Sequence, residues 1–404
     1  MIAERTGVEL IDGDATTPRG FLAAGVHCGI KQHRRDLALL VSQVPATVAG
    51  MFTTNRVRAA PVRWCQQVVA GGVAQAVVIN SGNANACTGE QGWRDTCEMA
   101  EVTGQVLGLP AGHVLVASTG VIGVPLPMAA IRAGIPVAAG ELSESGETAA
   151  EAILTTDAFR KTAAAVVHLG GRRIHVGGMA KGAGMIHPNL ATTLCVLTTD
   201  ATVPAPVLQQ ALRRAVDASF NAITVDGDTS TNDTVLVLAN AQAGAQPIHE
   251  GEALDRFVAA LTAVAEHLAK MVVRDGEGAT KIARIRIEGA RDAAQAKRAA
   301  YAVATSLLVK TMLHGGEPNW GRVLAAVGYA GVEVEEARTD IWFGEVQVVR
   351  GGIGVSGVFD AATAALRGPE VEIRVSLGIG DGAAAVWTCD LGEEYVRING
   401  SYIT

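Results

Sequence analysis

Lys181-Gly182-Ala183-Gly184-Met185-Ile186-His187-Pro188-Asn189-Leu190-Ala191-Thr192-Thr193 says more than any other stretch of this chain. A glycine-rich turn runs through a His-Pro-Asn corner into Ala-Thr-Thr, and a β-branched, apolar run follows from Leu194 to Thr199. That layout sets one threonine at the start of a buried strand, beside backbone free to bend. A cut between Ala191 and Thr192 would give the threonine a free α-amine next to its own hydroxyl. Nucleophile and base would then share one residue. Taken alone, the spacing favours a plainer reading, a loop entering a core strand, because Gly, Pro and Asn punctuate most loops.

The rest of the chain sets the frame. Its 404 residues suit two or three domains or one large one. Hydrophobic residues make up 49% and charged residues 18%, enough to bury a large core. With 47 glycines and only 4% aromatics, the composition points to a tightly packed α/β or α+β protein rich in turns. The formal net charge is −7, and no basic patch with interleaved aromatics appears, which argues against a nucleic-acid partner. The short basic clusters Lys31 to Arg35 and Arg172-Arg173 read as solvated loops. The six cysteines are scattered without a CxxC pair, so zinc spacing is absent and no metal site is expected. Cys195 and Cys389 lie in apolar runs and read as core thiols. The N-terminus lacks the apolar region of a signal peptide. The uncharged run from Val114 to Ile131 carries Pro125, Pro127, Ser118 and Thr119, which makes it a buried loop rather than a membrane span. A cytoplasmic, reduced protein is expected.

Periodicity places the elements. Residues 35–52 and 76–80 read as buried strands. Pro61 opens a helix that stops at Gly71-Gly72. Residues 90–107 and 205–219 read as helices, and a shorter one follows Ser143 to Glu147, reaching about Leu154. Over 253–273, Leu254, Phe257, Leu261, Val264, Leu268 and Met271 alternate spacings of three and four, building one apolar, core-facing stripe. An Ala-rich helix is expected over 293–310. Strand runs are expected at 332–335, 341–349, 371–377 and 384–390. No repeat, low-complexity linker, GxGxxG or P-loop motif is present, so composition marks no domain boundary.

Several motifs could carry chemistry. Ala117-Ser118-Thr119-Gly120-Val121-Ile122-Gly123 follows a strand-like run, and a Thr-Gly pair at a strand end can aim a hydroxyl and a backbone N–H at one point. An ordinary glycine turn explains it equally well. Phe220 to Asp233 is dense in Asp, Asn and Thr, yet Gly227 breaks the calcium-loop spacing, which favours a metal-free turn whose side chains bond local backbone. Ser81 to Gly89 could line a pocket or make a turn. Cys87 has no histidine nearby in sequence, and His168, His175 and His187 suit packing or surface roles. His314 to Arg322 is either a packed corner or a pocket wall. No G-x-S-x-G elbow exists.

Together these elements resemble one family, the glutamate N-acetyltransferases (ornithine acetyltransferases) of arginine biosynthesis. The likeness rests on Lys181 to Thr192, Ser118 to Gly123, Asn221 to Asp233, Pro318-Asn-Trp-Gly-Arg322 and Ile398-Asn-Gly-Ser-Tyr-Ile-Thr404. The resemblance implies a self-cleaving precursor cut between Ala191 and Thr192, giving an α chain of residues 1–191 and a β chain of residues 192–404. It implies Thr192 as nucleophile, Thr119 and Gly120 as the oxyanion hole, and substrate contacts at Thr155 or Thr156, Lys181, Thr192, Glu277, Asn399 and Thr404. It further implies an α+β sandwich of helical and sheet layers, an α2β2 assembly, and no cofactor. N-acetylornithine and glutamate would be the substrates, and acetyl-CoA a candidate second donor. Three positions depart from the family pattern: Leu190 and Glu317 conservatively, and Thr193 by placing a second hydroxyl beside the first. A self-cleaving N-terminal-nucleophile aminopeptidase or amidohydrolase is the alternative, and a non-catalytic amino-acid-binding protein a third class.

Overall fold

The structure, a computed structural model, describes residues 7–187 and 193–401. Pro188 to Thr192, which hold the expected scissile bond and nucleophile, and Thr404 lie outside the described residues. In chain order the strands are β1 (Val8–Ile11), β2 (Phe21–Val26), β3 (Leu37–Phe52), β4 (Val73–Asn83), β5 (Val114–Val121), β6 (Lys161–Leu169), β7 (Arg172–Lys181), β8 (Leu194–Thr199), β9 (Thr234–Ala239), β10 (Ile282–Ala290), β11 (Asp340–Phe343), β12 (Val346–Arg350), β13 (Ile353–Gly354), β14 (Glu370–Ser376) and β15 (Gly382–Cys389). The helices are α1 (Ala60–Ala70), α2 (Gly89–Leu107), α3 (Met128–Gly140), α4 (Glu147–Ala152), α5 (Ala205–Ala218), α6 (Gly251–Arg274), α7 (Ala293–Thr305), α8 (Leu307–Gly315), α9 (Trp320–Gly328), α10 (Phe359–Ala365) and α11 (Glu393–Ser401).

The long apolar run of β3 organises the larger sheet, which has nine strands among the described residues. Its first half pairs with β2 and β4, its second half with β9, and the register shifts between Val41 and Ala46. A strand bent in this way lets the sheet curl. Leu40, Val77 and Leu115 from one half share a core with Met179, Val196 and Leu236 from the other, so the two halves pack face to face. Outside them lie helices. The apolar faces of α5 and α6 cover the outer side of β6 to β8, and α2 and α3 cover β3 to β5. This is the expected α+β sandwich of helical and sheet layers. On α6, Leu254, Phe257, Leu261, Val264 and Leu268 are buried as their spacing predicts, each contributing roughly 1.5–3 kcal/mol relative to exposure. A smaller sheet of six strands, β13-β12-β11-β14-β10-β15, packs with α7 to α9 around a second core.

Several expectations change. The helix expected over 293–310 breaks at Ser306, whose hydroxyl accepts the Val309 amide and so begins a new helix, α8. The 341–349 run is a hairpin, turning at Gly344 and Glu345. Residues 332–335 form no strand, because the Glu333 amide bonds to the Gln295 side chain instead of a neighbouring strand. The Val114–Ile131 run is strand β5, a loop and the start of α3, and no helix among the described residues is long and apolar enough to cross a membrane. Lys31 is not a solvated loop residue, since its ammonium turns inward to the Leu154 carbonyl at 2.6 Å. Both expected chains contribute strands to the larger sheet. Strands β8 and β9 follow residue 192 yet lie between β7 and β3.

Candidate active site

The parallel pair β4 and β5 ends in a bulge at which Asn83 faces both Thr119 and Val121. Gly120 sits there with φ +132°, and a Cβ on it would lie 2.3 Å from the Gly82 carbonyl carbon. Only glycine fits. This end of the sheet opens into a pocket lined by Ala84, Thr119, Gly120, Thr155, Thr156 and Lys181. Ile122, Gly184, Met185, Ser230, Thr231, Asn232, Glu277 and Asn399 complete it. Its volume of about 80 Å³ is several times that of one ordered water.

Every expected site residue within the described stretches reaches this pocket: Thr119, Gly120, both Thr155 and Thr156, Lys181, Glu277 and Asn399. They come from segments far apart in the chain. Lys181 ends β7, and its ammonium donates to the Thr155 hydroxyl at 2.8 Å and the Thr119 hydroxyl at 3.3 Å. Glu277 follows α6 and accepts from the Asn399 amide at 2.7 Å. Gly184 admits Glu277 closely, because a Cβ there would lie 2.5 Å from its carboxylate. Thr193, next after the expected nucleophile, donates its amide to Asp233 at 3.2 Å. Its own side chain is buried and lines no part of the pocket, and its hydroxyl has no hydrogen-bond partner among the described residues.

Beneath the pocket lies a buried charge network. Lys161, fully buried, pairs with Asp157 at 2.7 Å and Asp275 at 2.5 Å. Asp157 also accepts the Gly182 amide at 2.7 Å and the Thr155 amide at 2.9 Å, and lies 3.9 Å from the Lys181 ammonium. Burial alone would raise the Asp157 carboxyl, but Lys181 and Lys161 overcome it and hold the group well below the usual range. Burial raises Asp275 and lowers Lys181, the latter against the pull of Asp157.

The polar segment 220–233 does more than bond locally. Asp226 accepts the amides of Met185 and Ile186 at 2.6 and 2.8 Å, just before the expected cut, and the Tyr395 hydroxyl at 3.2 Å. Asn232 donates to the carbonyls of Ala84 at 2.6 Å and Ser118 at 2.8 Å, tying the ends of β4 and β5 together beside Thr119. Sequence reasoning missed Asn232 as a site residue, although its place in that polar run was the available signal. The 314–322 segment lines no part of the pocket. His314 bonds Asp390 at 2.7 Å, and Trp320 packs on Gly354, so it is a packed corner. Cys87 is exposed and outside the pocket, and His187 contacts Thr224 and Tyr301.

The model of the ArgJ family matches residues 22–404. The chain belongs to the ArgJ family. Arginine biosynthesis bifunctional protein ArgJ of Symbiobacterium thermophilum is 53% identical over 404 residues, covering 98% of this chain and 100% of that protein. The protein of the same name from Geobacter sulfurreducens is 49% identical over 390 residues, covering 96% and 99%. The crystal structure of ornithine acetyltransferase complexed with ornithine, from Mycobacterium tuberculosis, is 42% identical with a TM-score of 0.43, covering 46% of this chain and all of that one.

Proposed function

We infer that this chain transfers an acetyl group from N-acetylornithine to glutamate, releasing ornithine and forming N-acetylglutamate. The observation that supports this best is the convergence of Thr119, Gly120, Thr155, Thr156, Lys181, Glu277 and Asn399 on one pocket, in a chain of the ArgJ family. The bifunctional naming of its relatives supports acetyl-CoA as a second donor. We place the reaction in the cytoplasm and assign it no cofactor and no metal.

The chemistry begins with self-cleavage. The Thr192 hydroxyl attacks the Ala191 carbonyl, and the peptide becomes an ester as the C–N bond breaks and frees the Thr192 α-amine. Water then hydrolyses the ester, releasing the Ala191 carboxylate and restoring the hydroxyl. That gives chains of residues 1–191 and 192–404, assembled as α2β2. With a reference pKa of roughly 7.7–8.0, the amine is partly neutral near pH 7 and takes the hydroxyl proton. Acetylornithine then acylates Thr192 while Thr119 and the Gly120 amide hold the oxyanion. Removing one such donor typically raises the barrier by about 3 kcal/mol. Ornithine leaves, glutamate enters, and its amine collects the acetyl group in a ping-pong cycle. Glu277, with Asn399, would meet a substrate ammonium, and Thr404 would add a further contact. Of the two threonines, Thr156 is better placed to meet substrate, since the Thr155 hydroxyl already serves Lys181 and Asp157.

Partition of the acyl group tests this against the aminopeptidase-like alternative. Purified enzyme given acetylornithine and glutamate is expected to form N-acetylglutamate in step with ornithine. Free acetate in place of N-acetylglutamate would make it a hydrolase.

A further inference from the structure

Lys181 donates to two threonine hydroxyls, and the fates of their protons differ. A lysine ammonium has three N–H donors and no acceptor, so a hydroxyl that accepts from it must send its own proton elsewhere. The Thr155 hydroxyl donates to Asp157 Oδ2 at 3.4 Å. For the Thr119 hydroxyl, no acceptor is present among the described residues, and Thr119 lines the pocket. Asp157 is thus the acceptor that sorts the two protons. It cannot swing away, because Lys161 and the Gly182 amide grip its other oxygen and Lys161 is anchored in turn by Asp275.

Resting on the acyl-transfer reading, we propose that Asp157 is a positioning residue for acetyl transfer: locked by Lys161 and Asp275, it holds the Lys181 ammonium against Thr119, so that the Thr119 proton is directed at the oxyanion. A hydroxyl that accepts from a cation is also the stronger donor, since chained hydrogen bonds polarise one another. Lys181 therefore serves the oxyanion hole as well as any substrate carboxylate. The charged groups facing it are Asp157, Lys161, Glu277, Asp233 and, through its own inward turn, Lys31. Asp157 is the carboxylate within ion-pair distance of it among the described residues.

The test compares wild type, Asp157→Asn and Asp157→Glu, each checked for an unchanged melting profile. Asn retains an oxygen for the Gly182 amide but loses the charge. Its kcat is expected to fall about 100-fold with little change in KM, as for loss of an oxyanion donor. The high-pH limb of its rate profile should move down, because burial then lowers Lys181 with Glu277 and Asp233 still opposing it but Asp157 no longer doing so. Asp157→Glu should recover part of the loss. Should Asp157→Asn not fold, Asp275→Asn reads the same effect in smaller measure by loosening Lys161. An unchanged kcat and high-pH limb, or a loss confined to KM, overturns the proposal. NMR titration of 13C-labelled lysines, with Lys181 assigned by Lys181→Arg, decides it without any activity: a lower titration point in Asp157→Asn supports it, an unmoved one refutes it. Absence of N-acetylglutamate from wild type would contradict the functional reading alone.

Discussion

Lys161 and Lys310 are both buried, one beneath the pocket and one in the second core, and each donates to a backbone carbonyl, but their charged surroundings differ. Lys161 sits between two carboxylates. Lys310 donates to the Cys389 carbonyl and, at 3.2 Å, to the Thr388 hydroxyl, with no carboxylate at ion-pair distance among the described residues. Lys281, in the same layer, likewise serves the carbonyls of Leu313 and Leu366. In the smaller sheet, lysines satisfy backbone acceptors at the ends of elements, a structural task. In the larger sheet, Lys161 and Lys181 engage carboxylates, and Lys181 also reaches two threonine hydroxyls at the pocket. Burial of a lysine is therefore no sign of a site by itself. The partner distinguishes the two cases.

Methionine in place of each lysine breaks this comparison most sharply. Lys161→Met strands two buried carboxylates and should cost about 3–5 kcal/mol of stability, with acetyl transfer lost. Lys310→Met keeps most of the packing and leaves neutral acceptors unserved, a cost of about 1–2 kcal/mol with activity retained. Denaturant melts and transfer assays on the same samples read both. Equal losses for the two would erase the distinction.

Acid sharpens it. The folded-state pKa of Asp157 lies below its unfolded value of about 3.9, so its stabilising contribution is full above that pH and is lost as pH falls through the folded value. Between about pH 4 and pH 2 the stability of Asp157→Asn should therefore fall less steeply than that of wild type. Lys310→Met, with no carboxylate partner removed, should follow the wild-type slope.

How much of this could be read from the chain depends on how far each interaction reaches. Helix α6 was legible because its apolar stripe is local, and the glycine of Thr119-Gly120 advertised a strand end with unusual backbone. Lys181, Glu277 and Asn399 came from the family likeness, not from spacing. The Lys161–Asp275 contact spans 114 residues of sequence, and no periodicity reports it. The β6–β7 hairpin that carries both Lys161 and Lys181 turns at Gly170-Gly171, a local signal that says nothing of which distant carboxylates its lysines meet. The polar run at 220–233 reads as a self-contained turn because its side-chain density is visible in sequence, whereas the distant carbonyls that Asn232 serves are not.

The smallest expected effect concerns the neighbouring threonine. The buried Thr193 hydroxyl has no hydrogen-bond partner among the described residues, so Thr193→Val should leave transfer unchanged and raise stability by about 1 kcal/mol. Loss of transfer in that variant would return Thr193 to contention as nucleophile.

The central claim is a covalent acetyl group on Thr192. Active enzyme mixed with acetylornithine, without glutamate, and quenched in acid can be weighed by intact mass spectrometry. Two chains, residues 1–191 and 192–404, are expected, with one acetyl group gained by the second chain alone and mapped to Thr192, and lost when glutamate is added. A fully active enzyme that weighs as a single uncut chain, or that carries the acetyl group on another residue, would contradict the account.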